Sequence, residues 1–151
     1  MKCGNYLVDV GCGYKKQAGF IGIDISSSSN ADIIHDIRNG MPFCNESVKY
    51  IRAHSVLEHL DTDEFIQIMK EFWRVLTKDG VLEVLVPYGG DEIAFKDPTH
   101  KKFFSMSTFS YFRKKNEKDR LYNLPTFDDF EIKIIGSRST REIFFRLRKQ
   151  I

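Results

Sequence analysis

The sequence is poor in cysteine, has no long apolar run and carries almost no net charge, and each shortage excludes a class of protein. Cys3, Cys12 and Cys44 are odd in number and lack the paired spacing of a zinc knuckle or a disulfide framework, so reduced, unpaired thiols are expected. The longest apolar stretches, such as residues 81–87, are far too short to span a bilayer. Met1-Lys2-Cys3-Gly4-Asn5 leads straight into a strand pattern rather than into an apolar signal core, and the expected location is the cytoplasm. A formal charge of +2 over 151 residues says little by itself, yet residues 96–120 hold eight bases against three acids. That stretch could attract an anionic substrate or nucleic acid, although a solvated loop accounts for it more simply. With 42% hydrophobic and 29% charged residues, and a length that suits one compact core, a single domain over 1–151 is expected.

What is present is a succession of short β-forming runs. Residues 6–10, 19–24, 31–35, 48–53 and 81–86 read as strands, several with apolar residues at neighbouring positions. Such strands are buried on both sides, which predicts a parallel sheet with cover on each face. One helix is predicted over about 61–76. Asp61 can cap it, Glu64 completes a capping box, and Phe65, Ile68, Met69, Phe72, Val75 and Leu76 share a face. Lys78-Asp79-Gly80 stops it before the fifth strand, giving the βαβ signature of an α/β sheet. Asp97 before Pro98 predicts the start of a second helix, followed by a very aromatic stretch that reaches Phe112. Residues 130–135 and 142–148 alternate around Gly136-Ser137-Arg138-Ser139 and read as a hairpin with one wet face.

The opening stretch carries the chemistry. In "LVDVGCGYKKQAGFIGIDIS" a glycine turn comes after a buried strand, and an acid ends the next strand. Such a turn lets a ligand approach the backbone, and the acid can accept from two ribose hydroxyls, so a nucleoside-bearing cofactor is implied. The third glycine of the dinucleotide fingerprint is missing, since Gly11-Cys12-Gly13 runs on into Tyr14-Lys15-Lys16, and there is no P-loop.

Taken in order, "VDVGCG", "GIDI", "HDI", "AHSVLEHL" and "FWRVLTKDGVLEVLVPY" resemble the class I S-adenosylmethionine-dependent methyltransferases, specifically their small methyltransferase-domain members, over residues 6 to about 112. The resemblance implies a Rossmann-like methyltransferase fold: α/β, with a mostly parallel seven-stranded sheet and a C-terminal antiparallel hairpin strand. Only about nine residues join the first two strands, so the first crossover is shortened and its helix reduced to a turn or absent. The implied cofactor is S-adenosyl-L-methionine. Gly11 and Gly13 would pass its methionine end, Asp9 would meet the ammonium, and Asp24 would take the ribose hydroxyls. Asp36 and the Ile37 backbone would read the adenine, and Ser55 with His54 would close the site near the sulfonium. Asp9 and Asp24 can also be ordinary strand-end caps, and Asp36 an Asx-turn residue.

The expected reaction is transfer of a methyl group to an oxygen or nitrogen of a small molecule, a saccharide or a protein. Glu58, His59, Asp97 and His100 are the acids and histidines expected near the methyl, with His100 as general base and His59 as second choice. No metal site is expected, because His54 and His59 are five apart rather than three or four. Ala53-His54-Ser55-Val56 replaces the Asn/Asp-Pro-Pro-aromatic motif of base-amino methylation, and no Pro-Cys pair is present, which makes nucleic acid the weaker expectation. Phe103, Phe104, Phe109, Tyr111 and Phe112 could be stacking platforms or simply core. Residues 88–125 are expected to form a substrate-side insert, and a homodimer through it would complete the pocket. The competing expectation is a binding module, or a subunit of a complex, that holds the cofactor without turnover.

Overall fold

The structure is a computed structural model that describes residues 4–113 and 122–149. Its strands are β1 (Tyr6–Val10), β2 (Ile21–Asp24), β3 (Ile33–Ile34), β4 (Val48–His54), β5 (Leu76–Pro87), β6 (Asp129–Ile135) and β7 (Glu142–Arg148). They form one sheet in the order β3-β2-β1-β4-β5-β7-β6. β1 to β5 pair in parallel, and β7 lies antiparallel to both β5 and β6, as the mostly parallel sheet with a terminal hairpin required. Lys114, Lys115, Lys118 and Arg120 of the basic stretch lie outside the described residues. No helix among the described residues is long and apolar enough to cross a membrane.

The predicted helix is α1 (Thr62–Val75). Its capping box is closed both ways: the Glu64 amide donates to Asp61 Oδ1 at 2.9 Å, and the Asp61 amide donates to Glu64 Oε2 at 2.9 Å. The residues at helical spacing, Phe65, Ile68, Met69, Phe72 and Val75, are all buried. Lys149 finishes the other end. This buried lysine donates to the Trp73 and Leu76 carbonyls at 3.0 and 2.8 Å and lies over the Trp73 ring, so a cation satisfies acceptors at the negative end of the helix. β5 starts at Leu76, directly after the helix and earlier than expected, because Leu76 already pairs with Val48. The ladder then slips at Thr77–Gly80 and resumes at Val81 opposite Tyr50.

The two faces of the sheet differ in what covers them. One face carries Val8, Val10, Ile51, Ala53, Val84 and Phe145 into the core beneath α1. Phe104, Phe109 and Phe112 join it there, with Phe109 centred 4.2 Å from Phe145 and 6.0 Å from Phe65. These three aromatics are therefore core, while Phe103 and Tyr111 remain exposed. The opposite face is covered by the 11–20 loop, where Lys16 and Cys12 pack over Gly22 and Phe20 meets Tyr50 edge-on. Beyond that loop the face covers itself with charge: Tyr50, His54 and Arg146 all bond Glu83, and Arg146 reaches Glu131.

Two further expectations change. No second helix starts at Asp97; its carboxylate accepts from the Thr99 amide and hydroxyl at 2.8 and 2.7 Å, a closed Asx turn that uses the same capping chemistry without propagating. Cys44 is disulfide-bonded rather than reduced, while Cys12 is a free, buried thiol.

Asp91, after β5, holds the start of β7 through three bonds from Arg141, at 2.7 to 3.0 Å. The Arg141 guanidinium lowers the Asp91 carboxyl from 3.8 to about 2. Its folded pKa lies below the unfolded one, so this contribution to stability is present above about pH 4 and is lost as pH falls through 2. Asp91→Asn should lower the urea midpoint at neutral pH, and its deficit against the wild type should vanish near pH 2. A deficit independent of pH would show that the carboxylate charge is not the stabilising feature.

Candidate functional site

The carboxyl ends of β1, β2 and β4 open onto one cavity of about 360 Å³. In an open α/β sheet this is where a ligand is expected, because neighbouring connections leave in different directions and part the loops. The cavity is lined by Gly11, Asp24, Asp36, Ile37 and Ser55, all expected at the site, and also by Arg38, His59 and the apolar Val10, Ile23, Ile25, Val56 and Leu60.

Gly11 turns the chain off β1 at φ +63°, and a Cβ there would lie 1.8 Å from Val56 Cγ2. Only glycine fits, both for the left-handed backbone and for the space. Gly13 is also left-handed, at φ +51°, but has nothing within 4 Å, so its role is conformational. Its amide donates to Asp24 Oδ2 at 2.9 Å, and the Ser26 amide donates to Asp24 Oδ1 at 2.8 Å. Each Asp24 oxygen thus has one backbone donor and keeps further acceptor capacity. Ser55, one residue past β4, sits at φ +55°, an unusual conformation for a non-glycine residue that turns the chain sharply at the cavity.

Asp36 is less open than its sequence position suggests. Arg38 binds both its oxygens, with Nε at 2.9 and 3.0 Å and Nη2 at 2.7 Å. That pairing with Arg38 lowers the Asp36 carboxyl. Arg38 also approaches Glu64 at 3.5 Å, so the cavity rim is tied to the first turn of α1. The sequence reading missed Arg38, and no local pattern marks it, since its partner on α1 lies 26 positions away in sequence (64 − 38). Asp9 does not line the cavity. It is fully buried, accepting from Arg52 Nη1 at 2.9 Å and from the Gln17 amide at 2.8 Å, and so fixes the glycine loop from below. His54 also faces away, bonded to Glu83 at 2.9 Å, and burial lowers its pKa.

The expected acid and base groups do converge. The Glu58 carbonyl accepts the Lys101 and Lys102 amides at 2.8 and 3.0 Å, stapling the 97–102 turn to the 57–59 turn. His59 and His100 therefore meet with ring centroids 4.9 Å apart. His59 lines the cavity; His100, the first choice for the base, lies behind it with its side chain 8% exposed. Glu58 is 2% exposed, its Oε2 has no hydrogen-bond partner, and burial pushes the carboxyl up to about 7.

No protein-family model and no curated protein sequence matches the chain. Solved structures do. An S-adenosylmethionine-dependent methyltransferase from Archaeoglobus fulgidus is similar at TM-score 0.70 and 17% identity, over 97% of this chain and 86% of that one. A possible histamine N-methyltransferase from Thermotoga maritima gives TM-score 0.70 and 15% identity, over 99% and 84%. The 1,6-didemethyltoxoflavin-N1-methyltransferase of Burkholderia thailandensis, solved with its substrate and S-adenosylhomocysteine, gives 0.66 and 10%, over 99% and 72%. Strand order, the terminal hairpin and these likenesses give the chain the fold of the class I S-adenosylmethionine-dependent methyltransferases.

The two glycines separate conformation from packing. Gly11→Ala should destabilise by about 2 kcal/mol or more, combining left-handed strain with a clash at Val56. Gly13→Ala should cost only the backbone part, about 1 kcal/mol. Equal losses in chemical denaturation would contradict this assignment.

Proposed function

We propose that the chain is an S-adenosylmethionine-dependent methyltransferase acting on an oxygen or nitrogen of a small molecule, a saccharide or a protein. The observation that supports this most is the meeting at one cavity of Gly11, Asp24, Asp36, Ile37 and Ser55, drawn from four separate connections of a methyltransferase fold. When bound, S-adenosylmethionine supplies an electrophilic methyl group on a sulfonium. Asp24 takes the ribose hydroxyls with the acceptor capacity that Gly13 and Ser26 leave open. The Gly11 turn admits the methionine end, and Asp9 acts beneath it by holding Gln17 and the loop. Ile25, Ile37 and Leu60 give the adenine an apolar slot. Asp36 reads its amino group once Arg38 swings out, a movement that costs little because that ion pair is exposed.

Ser55 and His59 face the cavity together, which sets His59 to take the acceptor's proton with His100 behind it. Residues 88–125 are the proposed substrate side; among the described ones, Phe95 and Phe103 stack in the open at 4.6 Å. The second reading, a cofactor-holding module or subunit without turnover, draws support from a sheet face that no helix covers among the described residues and that exposes Leu7. Methyl-acceptor screens separate the two readings.

Asp24→Ala should weaken S-adenosylmethionine binding by about 1–3 kcal/mol, because it leaves ribose hydroxyls without their acceptor. Calorimetric titration of both proteins checks this. Unchanged affinity would overturn the assignment of Asp24.

A further inference from the structure

The cluster behind the cavity has a chemistry of its own. Glu58, His59 and His100 each offer a ligand atom, and those atoms lie within 4.8 Å of one another. The hydrogen-bond network fixes what each presents. His100 Nδ1 lies 2.8 Å from the Ala94 carbonyl, which can only accept, so Nδ1 carries the proton. The Thr99 hydroxyl donates its one proton to Asp97 at 2.7 Å, so toward His59 Nδ1, at 3.0 Å, it accepts, and that nitrogen is protonated as well. A neutral ring protonated on Nδ1 carries its lone pair on Nε2, which leaves that atom of each ring able to bind a cation; His100 Nε2 also lies 3.7 Å from Asp97 Oδ2. Glu58 Oε2 is the one buried side-chain oxygen or nitrogen without a partner among the described residues. Among the described residues no hydrogen bond joins the three groups, so three acceptor atoms meet without a protein donor between them.

A proton can join one pair of these groups, whereas a cation can join all three. We infer that Glu58, His59 and His100 form a binding site for a divalent transition-metal ion beside the cavity. Two imidazoles and one carboxylate are a ligand set for Zn²⁺ or Fe²⁺ rather than Mg²⁺, and three protein ligands leave a coordination position open. Ala94 and Thr99 orient the two imidazoles as outer partners of metal-bound histidines do. Bonds of ~2.0–2.1 Å to a tetrahedral ion place ligand atoms about 3.4 Å apart, so the cluster would tighten on binding. This departs from the sequence expectation of no metal, which weighed His54 with His59 and His100; His54 is held on the other face of the sheet by Glu83.

Because His59 also lines the cavity, an ion held there would sit at the cavity's edge. Resting on the methyltransferase reading, and with His59 then a ligand instead of the base, the site narrows the acceptor to one with a hydroxyl oxygen that would bind the ion and lose its proton to solvent more easily there.

The test needs no S-adenosylmethionine. Chelator-treated full chain is titrated with Zn²⁺ by calorimetry and with Co²⁺ by visible absorption. One equivalent of each is expected, with cobalt bands of low coordination number. Glu58→Gln and His59→Gln, which preserve approximate size, should each weaken Zn²⁺ by about 100-fold, and His54→Gln should leave it unchanged. Circular dichroism verifies that the variants are folded. No stoichiometric binding, or equal loss in His54→Gln, would overturn the site. A chain that binds zinc but not S-adenosylmethionine contradicts the proposed function and leaves the metal site standing, and the converse contradicts the metal site alone.

Discussion

Everything at the cavity rests on one buried carboxylate. Asp9 leaves β1 with no exposure and is held between Arg52 of β4 and the Gln17 amide of the loop. A buried charge needs partners for both oxygens, and losing one costs several kcal/mol, so the three segments behave as a unit. The Gly11–Gly19 link is too short for a helix, and this clamp does the positioning that a helix would otherwise do. With the loop fixed, Gly13 is presented to Asp24 and the floor of the cavity is defined.

The same economy explains the uneven sheet. Without helices in the first connections, one face carries Tyr50, His54 and Arg146 bonded to Glu83, beside Arg52 bonded to Asp9, as a polar layer half in contact with water. Polar side chains that satisfy one another can close a sheet face where an apolar one would need cover. The opposite face keeps an ordinary core, in which Phe65, Phe109 and Phe145 lock α1 and the aromatic segment together. That locking also carries the 97–102 turn to Glu58, which is how His100 comes to stand beside His59 across 41 positions of sequence (100 − 59).

Local signals were legible in the sequence and long-range ones were not. β1 and β7 were read with their observed ends, and α1 within one residue, because strand composition and the Asp61–Glu64 box are written in neighbouring residues. Asp97 misled for the same reason: capping chemistry is identical in a helix and in an Asx turn, and only the packing of the residues beyond the cap decides between them. Gly11, Asp24, Asp36, Ile37 and Ser55 could be placed through motif order, which encodes the strand ends. The hold of Arg38 on Asp36, the burial of Asp9 and the unpartnered Glu58 oxygen could not, since each depends on which side chain tertiary folding brings alongside. Periodicity likewise shows that a strand is buried without showing what buries it, and among the described residues the cover of one face is a loop and a layer of bonded polar side chains.

Whether this cavity holds S-adenosylmethionine is tested most directly by a crystal structure of the chain grown with S-adenosylhomocysteine. The expected structure has the ribose hydroxyls on Asp24, the adenine beside Ile37 with Arg38 displaced from Asp36, and the sulfur toward Ser55 and His59. A ligand bound elsewhere, or seated in this cavity with its ribose away from Asp24, would contradict the assignment.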